Sequence, residues 1–301
     1  MDSSLRRGSS EMVAAMLISG TIGWFVLVSG QPVLDVVFWR CVFGAGTLLL
    51  ICAAMGFLKP GVLTRTTFLL ALVSGVAIVG NWVLLFASYS RASIAIGTAV
   101  YNVQPFMLVG LAAVFLGEKI TTPKLFWLGV AFAGMLAIVS AHGSEQGSGD
   151  DYLLGIALAL GAALLYAVAA LIIKRLAGTS PHLIALIQVT TGILLLAPWA
   201  NVGGLPVEVP ALASLITLGV VHTGVMYVLL YSAIQRLPTA LTGALSFIYP
   251  IAAILVDWIA FGHRLQLLQW VGVAAILLAA AGMQQGWWLR SASRRASIKT
   301  E

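Results

Sequence analysis

Residues 86–117 read FASYSRASIAIGTAVYNVQPFMLVGLAAVFLG, and residues 231–262 read YSAIQRLPTALTGALSFIYPIAAILVDWIAFG. A shift of 145 positions sets Phe86 on Tyr231, Arg91 on Arg236, Pro105 on Pro250 and Gly117 on Gly262. After a gap of two residues, Trp127-Leu128-Gly129-Val130 meets Trp270-Val271-Gly272-Val273. Apolar text aligns easily with itself, but an arginine, a proline and a glycine matched at one shift mark a duplication. The chain therefore divides into two related units, residues 1–145 and 146–301.

Both copies are too apolar for water. The 301 residues are 60% hydrophobic and only 9% charged, with mean hydropathy +1.03, whereas soluble domains carry about 25% charged residues. A soluble fold of this length would need a polar surface that so few charged side chains cannot supply. The bilayer must cover most of the outside. A net charge of +6 does not signal nucleic acid, because the cations sit in short clusters between apolar runs rather than on one face. Cys41 and Cys52, the only cysteines, would lie roughly 16 Å apart along a helix, too far for a disulfide.

A hydrocarbon core of about 30 Å takes about 20 apolar residues per helix. Ten such segments fall near 12–30, 34–57, 66–88, 93–116, 123–141, 152–175, 182–200, 210–232, 239–261 and 266–286. They are continuously apolar rather than alternating, which selects helices over barrel strands. The first is read as a retained helix, since Arg6 and Arg7 precede an apolar run without a cleavage site. With the N-terminus in the cytoplasm, thirteen of the sixteen Lys and Arg fall on the cytoplasmic side, as the positive-inside rule requires. Arg91 and Arg264 fall outside, and Arg40 lies within a span. Both termini are then cytoplasmic, and the acidic 142–151 loop joining the units is external.

Five spans per unit is an odd number, so the second unit enters the membrane from the opposite side. Inverted repeats of this kind are typical of secondary transporters, with the substrate site near the midplane between them. The segment Phe86-Ala87-Ser88-Tyr89-Ser90, then Gln104-Pro105, then Phe115-Leu116-Gly117-Glu118-Lys119 resembles the signature of the drug/metabolite transporter superfamily, EamA type. Tyr231 to Gly262 repeats it, departing where His263 and Arg264 replace the Glu118-Lys119 pair. The resemblance spans nearly the whole chain. It implies an all-α integral membrane protein of ten transmembrane helices in two inverted five-helix repeats. Within that superfamily the chain is most similar to YddG-type exporters of aromatic amino acids.

Polar residues within apolar spans are costly and therefore informative. The candidates for binding substrate are Arg40, Asn81, Asn102, Gln104, Gln188 and His222, with Tyr101, Tyr166, Tyr227, Ser246 and Tyr249. For each amide or tyrosine singly, an interhelical hydrogen bond is the competing role. Trp24 joins them as a mid-span aromatic suited to an apolar ligand; Trp82 serves packing at least as well. Pro105 and Pro250 are candidate hinges, since proline frees a carbonyl and bends a helix. Arg40, roughly 9 Å into its helix, either snorkels to the outer interface, binds a substrate carboxylate, or pairs with Asp257 as a gate. Asp257 is taken as the one acid within a span.

No metal-ligand cluster, phosphate loop, nucleophile elbow or close carboxylate pair occurs, so the reading is not an enzyme and carries no cofactor or metal. The absence of several inward cations disfavours phosphorylated substrates. The expected function is a carrier or facilitator of neutral, aromatic or bulky apolar amino acids across a bacterial-type cytoplasmic membrane, working as a monomer in contact with lipid. A carrier of another metabolite or drug, or a non-transporting scaffold or sensor, is the alternative.

Overall fold

The computed structural model describes residues 3–59, 63–140, 150–261 and 267–287, and among these there is no β-strand. The 142–151 loop up to residue 149 and the stretch holding His263 and Arg264 lie outside the described residues. Helix is what lipid demands, because each span must satisfy its own backbone N–H and C=O groups.

The first span is α1 (Ser3–Ser19) followed by α2 (Ile22–Ser29), and the second is α3 (Val33–Ala54). Third and fourth spans share α4 (Arg65–Tyr101), after which α5 (Gln104–Leu116) completes the fourth and α6 (Thr122–Ser140) is the fifth. In the second repeat, α7 (Asp150–Arg175) and α8 (Pro181–Leu196) are the sixth and seventh spans. The eighth is α9 (Val209–Gly219), a π-turn (Val220–Val225) and α10 (Met226–Arg236). The ninth is α11 (Thr239–Ser246) with α12 (Ile248–Phe261), and α13 (Leu267–Gln285) is the tenth.

Three details differ from the sequence reading. The first helix starts at Ser3 rather than near residue 12, so Glu11 lies within a span; the charged first turns are stabilised by the Arg7–Glu11 pair at 2.9 Å and by packing on the eighth span. Glu11 is thus an acid within a helix besides Asp257, and so is Asp35 in the first turn of α3. Secondly, no irregular loop separates spans three and four. The chain nevertheless reverses inside α4, because a Cβ on Gly97 would lie 2.7 Å from Ser88 Oγ, whereas nine residues of straight helix would separate them by about 13.5 Å. Thirdly, the helix breaks fall at Asn102–Val103 and Phe247, two to three residues ahead of the prolines. Proline fixes its own φ and blocks a hydrogen bond to the preceding turn, so the interruption lies N-terminal to it. These breaks occupy matching places in the two repeats.

The repeats interlock around one apolar core that runs through spans one to four and six to nine. Spans five and ten, with parts of four and nine, form a smaller cluster around Leu128, Met135, Phe247 and Ile276. The site lies inside the larger one.

Candidate functional site

Arg40 on α3 is 1% exposed and is among the largest fully buried side chains. Snorkelling is therefore excluded. A guanidinium at this depth costs several kcal/mol unless its N–H groups find acceptors. Its Nε donates to Thr223 Oγ1 at 2.7 Å and its Nη2 to the His222 carbonyl at 3.3 Å. Both acceptors come from the π-turn. There one extra residue widens the turn, and the Thr223 hydroxyl donates five residues back, to Leu218 O at 2.9 Å. The hydroxyl's lone pairs then face Arg40. Close approach of spans two and eight makes this contact: a Cβ on Gly44 would meet Thr223 Cγ2 at 2.7 Å, and one on Gly219 would collide with Phe43 Cβ. Larger residues at either glycine would force the helices apart.

The guanidinium carbon also sits 4.2 Å from the centroid of Trp82 and 5.7 Å from that of Tyr227, which offsets part of the desolvation through the ring quadrupoles. Trp82 Nε1 in turn donates to the Tyr227 hydroxyl at 2.6 Å. The sequence separation of this pair is 145 residues, the shift of the repeat. The two side chains are equivalents meeting at the pseudo-two-fold axis.

Arg40, Trp82 and Tyr227 form part of the wall of a cavity of about 670 Å³ of atom-free space, its mouth included. The rest of the wall comes from six spans. It includes Asn81, Tyr101, Asn102, Gln104, Tyr166, Ser246 and Tyr249 from the sequence-derived set, with Phe86, Tyr89, Met16 and Met226 added by the structure. Tyr101 and Tyr166 meet edge to face at 6.1 Å. The Asn81 amide donates to Ala162 O at 2.8 Å and Asn102 to Thr98 O at 2.7 Å; Gln104 reaches Ser246 Oγ at 3.4 Å. Five tyrosines and one tryptophan surround one cation, and among the described residues no carboxylate belongs to the wall.

Three expected residues lie elsewhere. Trp24 is 38% exposed, edge-on to Phe25 at 4.7 Å, because the break between α1 and α2 turns it away from the bundle. Gln188 is buried but committed: its amide donates to Ser74 at 2.8 Å, and its oxygen accepts from Tyr231. The His222 ring turns toward Thr21 Oγ1 at 2.6 Å and Thr217 O at 3.2 Å, so only its carbonyl serves Arg40. Pro105 and Pro250 are buried, and neither belongs to the cavity wall. The Asp257 side chain lies outside the described residues, and Arg40 has no acidic partner among those described.

A family model described as EamA-like transporter family matches residues 7–140 and again 153–284. The chain belongs to that family. It is 30% identical over 277 residues to the transporter YxxF of Bacillus subtilis, covering 91% of this chain and 87% of that protein. It is 26% identical over 289 residues to a transporter of Archaeoglobus fulgidus, covering 94% and 97%. One crystal structure superposes with TM-score 0.78 at 19% identity, covering 91% of this chain and 96% of that one, which establishes a shared fold. The protein is thus a multi-pass membrane transporter of EamA type, and its relatives are named as transporters rather than enzymes.

Proposed function

We propose that this transporter carries neutral amino acids with aromatic or bulky apolar side chains, exporting them across a bacterial cytoplasmic membrane by alternating access. The observation that carries the reading is Arg40: a buried guanidinium at the wall of an aromatic cavity, fixed by Thr223 and stacked on Trp82, with N–H groups to spare among its five donors. A carboxylate completes that arrangement, because the planar fork matches it and both charges are desolvated together. Tyr89, Tyr101, Tyr166 and Tyr249 offer apolar faces for a side chain and hydroxyls for an ammonium. The carrier acts as a monomer with both termini in the cytoplasm. Asp257, farther along α12, serves as the alternative partner of Arg40 when the cavity empties.

Uptake of a panel of radiolabelled amino acids into proteoliposomes tests the reading. Phenylalanine, tryptophan or leucine should accumulate. Arg40→Gln should lower kcat/KM at least about tenfold, with Arg40→Lys between it and the unaltered protein, since one lost charge-assisted hydrogen bond is worth about 1.5–3 kcal/mol. Full activity of Arg40→Gln would remove the carboxylate role. If Asp257 is the exchange partner, Asp257→Asn should partly restore Arg40→Gln, and additive losses would dissolve that pairing.

A further inference from the structure

The cavity wall can neutralise one negative charge and offers little to a positive one. Two of the five N–H groups of Arg40 are taken, by Thr223 Oγ1 at 2.7 Å and the His222 carbonyl at 3.3 Å. Both acceptors are uncharged, so the buried guanidinium keeps its full charge. A monocarboxylate cancels it. An α-amino acid brings the same carboxylate together with an ammonium two bonds from the carboxyl carbon, which sets a second cation close to the first. Like charges repel strongly in so dry a place, and a buried cation is tolerated only against an acid or several acceptors.

Among the described residues the wall holds no acid. The ring faces nearest the anchor, Trp82 at 4.2 Å and Tyr227 at 5.7 Å, are already turned to the guanidinium. The next acceptors for an ammonium would be the last-turn carbonyls of α4 and α11, which helix ends leave open beside the cavity. Thr98 O and Gly243 O, one 145-residue shift apart, are each capped by a wall side chain. Asn102 Nδ2 donates to Thr98 O at 2.7 Å, and Ser246 Oγ to Gly243 O at 2.7 Å. Val100 and Leu245, again one shift apart, accept the backbone N–H groups of Val103 and Phe247. The tyrosine hydroxyls can hydrogen-bond a cation but carry no charge to balance it.

We propose, on the footing that Arg40 is the carboxylate anchor, that the transporter also carries monocarboxylates with an aromatic or bulky apolar tail and no α-ammonium. It binds them more tightly than the corresponding amino acids. The tail meets the same surfaces in both cases: the Tyr101 and Tyr166 rings, 6.1 Å apart edge to face, and the apolar Met16, Leu85 and Leu230.

Isothermal titration calorimetry at pH 7 on the purified protein, with four ligands sharing one phenyl tail, separates the charges. These are 3-phenylpropanoate, L-phenylalanine, the neutral 3-phenylpropanamide and the cationic 2-phenylethylamine. Phenylpropanoate should bind at least about tenfold tighter than phenylalanine, and the amine should be the weakest of the four. Arg40→Gln, checked for monodispersity, should reduce phenylpropanoate to the affinity of the amide; the ranking on the unaltered protein needs no variant. In proteoliposomes, internal phenylpropanoate should accelerate entry of the labelled compound beyond its rate in protein-free liposomes. Phenylalanine binding as tightly as phenylpropanoate would overturn the proposal and leave the amino-acid assignment standing, whereas binding of neither would remove both. An amide as tight as phenylpropanoate, an anion preference retained in Arg40→Gln, or binding without accelerated exchange would each overturn it as well.

Discussion

Arg40 stands out in the sequence as a basic residue within a span, yet the residue that fixes it does not. Thr223 gives no signal there, because threonines in membrane helices usually return their hydroxyls to their own backbone, as Thr47 does to Phe43 O at 2.9 Å. Only the π-turn leaves Thr223 an additional bond to make. Glu11 was hidden for a different reason: it precedes the apolar run by one residue and becomes part of the span only when the charged turns fold onto Arg236. Glu118, just beyond α5, supplies a stability test. Burial pushes its carboxyl up, but hydrogen bonds from Thr239 and Lys174 and the charge of Lys174 outweigh this and hold it below the usual carboxylate range. A depressed folded value means stability that is complete above the unfolded value of about 4.3 and is lost as pH falls through the folded one. Thr239→Val should therefore cost about 1.5 kcal/mol near pH 7. Its melting temperature in detergent should fall below that of the unaltered protein at pH 7, with the difference narrowing once pH drops below about 4. An equal difference at both pH values would assign the loss to packing.

Ten spans and their order were legible because twenty-residue apolar runs have one physical solution in lipid. Their internal irregularities were less so. The π-turn has no residue signature, and the reversal within α4, between Ser88 and Gly97, carries no proline. The matched helix breaks were legible through Pro105 and Pro250, although displaced toward the N-terminal side. Both breaks adjoin cavity residues: Tyr101, Asn102 and Gln104 at one, Ser246 and Tyr249 at the other. A bend at these points changes the aim of those side chains without unpacking spans four and nine. Pro105→Ala or Pro250→Ala should leave a monodisperse, folded protein and reduce the transport rate several-fold, as a straighter helix loses the bend. Unchanged rates in both single variants would reduce the prolines to packing elements.

For the whole molecule, the sequence supplied the duplication and the charge bias, while the cavity emerged only when seven spans were brought together. Orientation is testable without further structure. Val207, 94% exposed between the seventh and eighth spans, and Leu58, 47% exposed between the second and third, lie on opposite sides of the membrane by helix count. A cysteine at Val207 should react with an impermeant maleimide in intact cells, and one at Leu58 only after lysis; the reverse pattern would invert the topology. The contact between Trp82 and Tyr227 carries a further consequence. Two identical half-length chains associating around a two-fold axis would place the same side chain on both sides of that point. Two indoles would oppose donor to donor, with no acceptor between them. The hydrogen bond that now closes the centre of the molecule thus depends on the two halves having diverged, one presenting the indole donor and the other the phenol that accepts from it.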